Sequence, residues 1–345
     1  MKVLIINTMA PFVRGGAEAL VDNLIVHLRD AGHEPDVLRL PFYWEPYDQI
    51  PGEVFRFKSM KLDCADLVIP MKFPAYLIPA PRKRIWLMHQ YRQAYDMWDA
   101  GTSNIPNTSE GRLVRDAIIA EDVAEFSRAG EVLTISQAVS DRLSHYCGVD
   151  SSPLRVPIND PELFLGGKND GYIFAGGRIN SSKRQHLLLE AMQYVAGNVR
   201  LIIAGPPDDM EDADRLRRLV LQLGLEDRVR LDLRFLPREK YAEYVNRSLA
   251  VAYLPHNEDA FGYVTVEAMQ AKKPVLTVSD AGELLLLVRH LETGYVSEPT
   301  PRSVADGLSY LGSDPTRASL LGASAYDLWR ELDTTWSSVI ERLLQ

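Results

Sequence analysis

The chain has 345 residues and a mass of 38.8 kDa, with 46% hydrophobic and 25% charged residues; this excludes a disordered or fibrous class and predicts two domains, since one hydrophobic core rarely serves so long a chain. A net charge of -9 and a pI near 5.4 exclude a nucleic-acid binder, whose affinity rests on Lys and Arg neutralising phosphates. The two cysteines, Cys64 and Cys147, form no CxxC or Cys/His arrangement, which excludes a disulfide framework and a zinc site.

The first element is "KVLIINT" (2–8), a continuous apolar run of the kind a parallel strand shows when both its faces are buried. It lacks the apolar region and cleavage site of a signal peptide, and no stretch reaches the roughly 18 apolar residues of a membrane span. A cytoplasmic location is expected. After "MAPFVRGGAE" a helical pattern starts at Glu18, with Leu20, Leu24 and Leu28 on one face, and stops at Gly32. "PFYWEPYDQ" and "YRQAYDMWDAG", between 41 and 110, carry aromatic residues able to stack on a sugar ring or, equally, to form a core. "PRKRIW" (81–86) is a basic cluster, read either as a peripheral contact with anionic lipid at the inner face of the plasma membrane or as a solvated loop. His89 follows the apolar "RIWLM" directly.

The stretch "SSPLRVPINDPELFLGGKND" (151–170) has no sustained period, and a domain boundary is expected near 158. The grammar then restarts: "GYIFAGG" as strand, "GGRINSSK" as loop and "RQHLLLEAMQYV" as helix. "VRLIIAG", "VRLDLRF", "LAVAYLP" and "KPVLTV" supply further strands, with "RLRRLVLQLG" a helix among them. Strands alternating with helices predict an α/β protein with a doubly wound parallel sheet in each half, because parallel neighbours need a crossover and the usual crossover is a helix. Two Rossmann-like domains facing across a cleft are expected, 1–158 and 159–327, with the ligand beyond the carboxyl ends of strands. The tail "RASLLGASAYDLWRELDTTWSSVIERLL" reads as helices with Trp329 and Trp336 in core positions.

Several constellations sit where such a ligand would lie. Gly15 and Gly16 precede the first helix, where paired glycines admit a phosphate close to helix amides or simply make a tight turn. Neither G-x-G-x-x-G nor a P-loop is present. Arg178 and Lys183, five apart after a strand, suit a diphosphate, Arg as a two-oxygen fork and Lys as a point charge; the alternative is two solvated cations. His89 can address a sugar hydroxyl or only cap backbone. "HNEDAFGYVTVEAM" places Asp259 and Glu267 eight apart around Phe261, Gly262 and Tyr263, at a turn whose amides face outward and whose helix carries a carboxylate able to accept two ribose hydroxyls. Asp212 and Asp214 form a DxD, but in "DDMEDADRLRRLV" they read as an acidic helix start rather than a metal clamp. No metal is expected.

In this order "RGGAE", "LMHQ", "LTISQAVSDRL", "GGRINSSK", "LIIAG", "EDAFGYVTVEAMQAKKPVLTVSDAG" and "ETGYV" resemble the family 4 glycosyltransferases, retaining enzymes of GT-B fold, over almost the whole chain. "HQYRQAYD" is similar to members that build bacterial surface polysaccharides. The resemblance implies an acceptor-side N-terminal domain, a donor-binding C-terminal domain, and a last helix, from about 328 to 345, returning to the first. It implies that Glu267 holds the nucleotide ribose and that Arg178 and Lys183 take the diphosphate with Gly16. His89 would sit by the transferred sugar. Phe261, Gly262 and Tyr263 would offer amides to the sugar and distal phosphate, and residues after Gly205 would border the base. The motif's first Glu is here Asp259, with Glu258 beside it, and "SDAGELLLLV" has Glu283 where a second Gly is usual and Leu286 where an acid often stands.

The implied activity is that of a hexosyltransferase, with no cofactor: a UDP- or GDP-sugar donor, and a sugar or lipid-linked sugar as acceptor. The runners-up are a GT-B-like epimerase or phosphorylase and a nucleotide-sugar binder without activity. An oxidoreductase is disfavoured by the missing dinucleotide signature.

Overall fold

The computed structural model describes residues 1–9 and 15–345. It contains two compact units, Met1–Pro157 with Thr334–Gln345, and Ile158–Asp333.

Unit 1 runs β1 (Lys2–Met9), α1 (Gly16–Asp30), β2 (Glu34–Pro41), α2 (Ile50–Lys58), β3 (Leu67–Pro70), β4 (Ile85–Leu87), α3 (Asp96–Asp99), α4 (Ser109–Arg128), β5 (Val132–Thr134), α5 (Gln137–Cys147) and β6 (Ser152–Pro153). Its strands are all parallel, in the orders β2-β1-β3 and β4-β5-β6. Isolated parallel bridges Val68–Lys83 and Lys72–His89 place β4 beside β3. The apolar stripe of α1 is buried at Leu20, Leu24 and Leu28. The hydroxyls of Thr108 and Ser136 cap α4 and α5, each satisfying an orphan amide at a helix start.

Unit 2 runs β7 (Tyr172–Gly176), α6 (Gln185–Met192), β8 (Arg200–Ala204), α7 (Met210–Gln222), β9 (Val229–Asp232), α8 (Arg238–Arg247), β10 (Ala250–Ala252), α9 (Tyr263–Gln270), β11 (Val275–Val278), β12 (Gly294–Ser297), α10 (Pro301–Ser313) and α11 (Pro315–Glu331). One parallel sheet has the order β12-β11-β10-β7-β8-β9. Order therefore reverses between β7 and β10, and the loops leaving those two strands flank the crevice where doubly wound sheets take ligands.

The last helix, α12 (Trp336–Leu344), belongs to unit 1 and covers α1, with Trp336 stacked on His27 at 4.8 Å between ring centroids. Trp329 is buried in the core of unit 2. The chain thus changes unit at Thr334 rather than near 328, because Trp329 is used to close the second core.

Candidate functional site

The reversal point of unit 2 gathers most of the residues singled out in the sequence. β7 ends at Gly176, and the chain turns through Gly177, in the left-handed region at φ +113°, to Arg178. Gly205, after β8, lies so close that a Cβ there would stand 1.9 Å from the Gly177 carbonyl oxygen. Only glycine lets the two loops meet. Arg178 forms a two-point ion pair with Asp208, Nε to Oδ1 at 2.7 Å and Nη2 to Oδ2 at 2.5 Å, and Asn180 donates to the same carboxylate at 2.9 Å.

Asn180 also caps the short turn Ser181–Lys183 by accepting the Lys183 amide at 3.0 Å. From that turn the Lys183 ammonium reaches across to the β10 side, where it donates to the Tyr253 hydroxyl at 2.9 Å and pairs with the Glu258 carboxylate. Tyr253 also donates to Glu258 at 3.2 Å. The phenol is buried, and burial together with the adjacent Glu258 charge pushes its pKa well above the ordinary value. Tyr253 is therefore a neutral donor and acceptor between the two charges.

The loop after β10 carries Glu258 and Asp259, both half-buried, and enters α9 through buried Phe261 and Gly262. Gly262 has φ +70°, and a Cβ there would meet the Tyr253 ring at 2.7 Å. Tyr263 is the first residue of α9. One turn further, Glu267 is 2% exposed. It is not a surface charge: its Oε1 accepts from Arg238 Nη1 at 2.5 Å. Burial lifts the Glu267 carboxyl above its usual range, while Arg238 and the Tyr241 hydroxyl hold it down. Arg238 in turn donates to the Asn159 carbonyl at 2.9 Å and Asp160 at 3.2 Å, and lies over the Phe164 ring at 4.7 Å.

Three residues of this site escape a reading of spacing. Tyr253, Arg238 and Asp208 each become functional candidates only through contacts 28 to 70 positions along the chain. The Pro-Arg-Glu at 237–239 looks like an ordinary helix start, and nothing in it points to Glu267.

Unit 1 holds the remaining candidates. Gly15 is the N-cap of α1 and its amide donates to Glu18 at 2.9 Å; Gly16 opens the helix. The loop residues 10–14 of "MAPFVRGGAE" lie outside the described residues. His89 follows β4, its Nδ1 2.8 Å from the Gln90 carbonyl, and bridges to Lys72. Lys72 is 3.7 Å from Glu18, and burial lowers its pKa against that carboxylate. The basic cluster at 82–84 is internally engaged, Arg82 with the Leu344 carbonyl, Lys83 with Glu125 and Arg84 with Glu131. Of the aromatic residues between 41 and 110, Phe42, Tyr91 and Tyr95 are core while Tyr43 and Trp44 are exposed.

Asp212 and Asp214 lie in the first turns of α7, where Asp212 takes the Asp209 cap and Asp214 pairs with Arg217. Among the described residues no cluster of three or more His, Cys, Asp or Glu side chains suits a metal ion, and no described helix is long and apolar enough to cross a membrane.

The segment that carries this geometry matches a known family. Residues 164–327 match the family described as Glycosyl transferases group 1. The match covers Arg178, Lys183, Arg238, Glu258 and Glu267 together. A D-inositol 3-phosphate glycosyltransferase from Catenulispora acidiphila is 27% identical over 242 residues, 66% of this chain and 56% of that protein. The chain spans about half the length of the curated relatives it matches first. Among solved structures, a sucrose-phosphate synthase from Thermosynechococcus elongatus superimposes with a TM-score of 0.77 at 17% identity, over 99% of this chain and 97% of that one. Anabaena HepE, crystallised with UDP and glucose, gives 0.72 at 18% identity, over 100% and 98%. The fold is GT-B.

Proposed function

We propose that this chain is a retaining glycosyltransferase of family 4, moving a hexosyl group from a nucleoside-diphosphate sugar, UDP or GDP, to a hydroxyl of a sugar or lipid-linked sugar in polysaccharide or glycolipid assembly. The observation that carries the reading is the set of charges at the β7/β10 reversal point: two cations on one loop, carboxylates on the facing one, and a buried glutamate on α9. A diphosphate meets Lys183 and Arg178 there, the ribose hydroxyls meet Glu267, and the sugar lies toward Glu258, Asp259 and the amides of Phe261, Gly262 and Tyr263. The base borders the loop after Gly205.

In this reading the bond between anomeric carbon and phosphate oxygen lengthens, charge builds on the departing diphosphate, and Lys183 and Arg178 stabilise it. The acceptor hydroxyl attacks from the same face, its proton passing to the leaving phosphate oxygen, so that configuration is kept. The residues act by fixed charge and positioning rather than as a covalent pair.

The test is thermal unfolding with UDP, GDP, ADP, TDP and CDP and their common sugars, for the wild type and Lys183→Ala. A ligand at about 100 times its Kd stabilises by about 2.7 kcal/mol. One nucleotide should shift the wild type, and Lys183→Ala should lose turnover of the matching sugar by on the order of 100-fold. No shift with any nucleotide, or near-normal turnover in the variant, refutes the assignment.

A further inference from the structure

The residue next to Lys183 carries an arrangement that the proposed reaction does not yet use. Arg184 sits at φ +53°, in the left-handed region, as the N-cap of α6. This conformation is rare outside glycine, asparagine and aspartate. It aims the guanidinium away from α6 and under the loops that leave β10 and β11. Nε donates to the Leu254 carbonyl at 2.8 Å and Nη2 to the Pro255 carbonyl at 2.5 Å. Nη1 and Nη2 grip both oxygens of Asp280, at 2.9 and 2.6 Å. Arg184 is largely buried, and its guanidinium holds the Asp280 carboxyl below the usual range, with His256 adding to the effect from 3.2 Å.

The two loops so joined are stitched together by backbone. Asn257 donates to the Asp280 carbonyl at 2.9 Å, Glu258 to that of Ala281 at 2.9 Å, and Glu283 back to that of Glu258 at 3.0 Å. Gly282, at φ +88°, allows this approach, since a Cβ there would be 2.4 Å from the Glu258 carbonyl oxygen. His256 closes the circle by donating its amide to the Ser182 carbonyl at 3.0 Å, in the turn that bears Lys183. One side chain therefore ties the loops after β7, β10 and β11 into a single frame.

We infer that Arg184, anchored on Asp280, is a positioning residue that fixes Glu258 and Asp259 relative to Lys183, and so aligns the donor sugar rather than the nucleotide. This rests on the glycosyltransferase reading for its effect on turnover, but the frame itself does not. A lysine cannot replace the guanidinium, because the contacts need a planar fork with donors on both edges. Glycine suits the left-handed backbone and removes the fork alone, so Arg184→Gly folds.

The experiment compares wild type, Arg184→Gly, Arg184→Lys and Asp280→Asn in two ways. The first is amide hydrogen exchange. In Arg184→Gly the amides of Asn257, Glu258 and Glu283 should exchange on the order of tenfold faster while those of β10 are unchanged; unchanged exchange at 257, 258 and 283 overturns the frame whatever the enzyme does. The second uses UDP, GDP, UDP-glucose, UDP-N-acetylglucosamine and GDP-mannose as probes. For the probe the wild type accepts, kcat should fall on the order of 100-fold in Arg184→Gly, with free-nucleotide affinity held within about threefold. Arg184→Lys and Asp280→Asn should fall between. Nucleotide affinity dropping in step with kcat would overturn the positioning role. A wild type that answers to none of the probes removes the proposed activity and leaves the frame to be decided by exchange.

Discussion

Arg238→Met isolates the one charge that compensates buried Glu267. Met keeps the aliphatic stem but stops short of the guanidinium, so the ion pair of 2.5 Å and the guanidinium contact over Phe164 are lost together. Removing one partner of a buried pair typically costs about 3–5 kcal/mol, because the other charge is stranded. Arg238 keeps 32% of its side-chain surface in water against 3% for Glu267, so the low end, about 3 kcal/mol, is expected. That corresponds to roughly 6–12 °C in Tm for a unit of this size. The loss carries a pH signature. Burial already raises the Glu267 pKa above its ordinary 4.5, so the folded state holds this proton more tightly, and stability declines as pH rises from there through the folded value. Without Arg238 the folded value climbs further. Calorimetry should therefore show a large loss at pH 8 that shrinks toward pH 5, and Glu267→Gln added to Arg238→Met should recover most of it. A Tm within about 2 °C of wild type at pH 8, or a loss independent of pH, would refute this account.

Asp208→Asn should free Arg178 and raise affinity for the accepted free nucleotide by about two- to fivefold in calorimetric titration, the scale set by an exposed pair worth less than about 1 kcal/mol; weaker binding would contradict the arrangement. Gly205→Ala forces a Cβ to 1.9 Å from the Gly177 oxygen at φ +147° and should cost more than about 2 kcal/mol in urea unfolding, whereas an unchanged midpoint would mean the two loops can part freely. In unit 1, buried Asp122 accepts from Tyr76 at 2.8 Å and Tyr95 at 2.7 Å, and burial lifts its pKa from 3.8 to about 7. Its protonated form is favoured in the fold, so the stability it contributes is present below pH 4 and is lost as pH rises toward 7. Melting of Asp122→Asn should be flatter than wild type over that interval, and parallel curves would count against the assignment.

The fold was legible because its signals are local. "GYIFAGG" is apolar throughout since β7 is buried on both faces, and α1 shows its leucines at every fourth position since one face meets the sheet. Lys183 could be singled out from its loop after a strand and Glu258 only through the family resemblance, and the structure brings them into one ion pair 75 positions apart in sequence. What spacing could not supply is the partner. Arg184 next to Lys183 looks like a second solvated cation; only the fold discloses that its backbone turns left-handed and that Asp280 waits beneath it. Arg238 and Tyr253 are silent for the same reason, since the chemistry of a buried pair depends on a contact and composition records none. The 82–84 cluster shows the opposite limit, a charge run that reads as surface and is consumed by carboxylates and a carbonyl of its own unit.

Unit 2 interrupts unit 1, which receives its closing helix only after Asp333. On the ribosome this sets an order of events. The strands of unit 1 emerge first, yet the face of α1 that α12 covers stays bare while the whole of unit 2 is made and folds. The second-made unit can be finished before the first, and for that interval His27, on which Trp336 later stacks, belongs to a nascent surface.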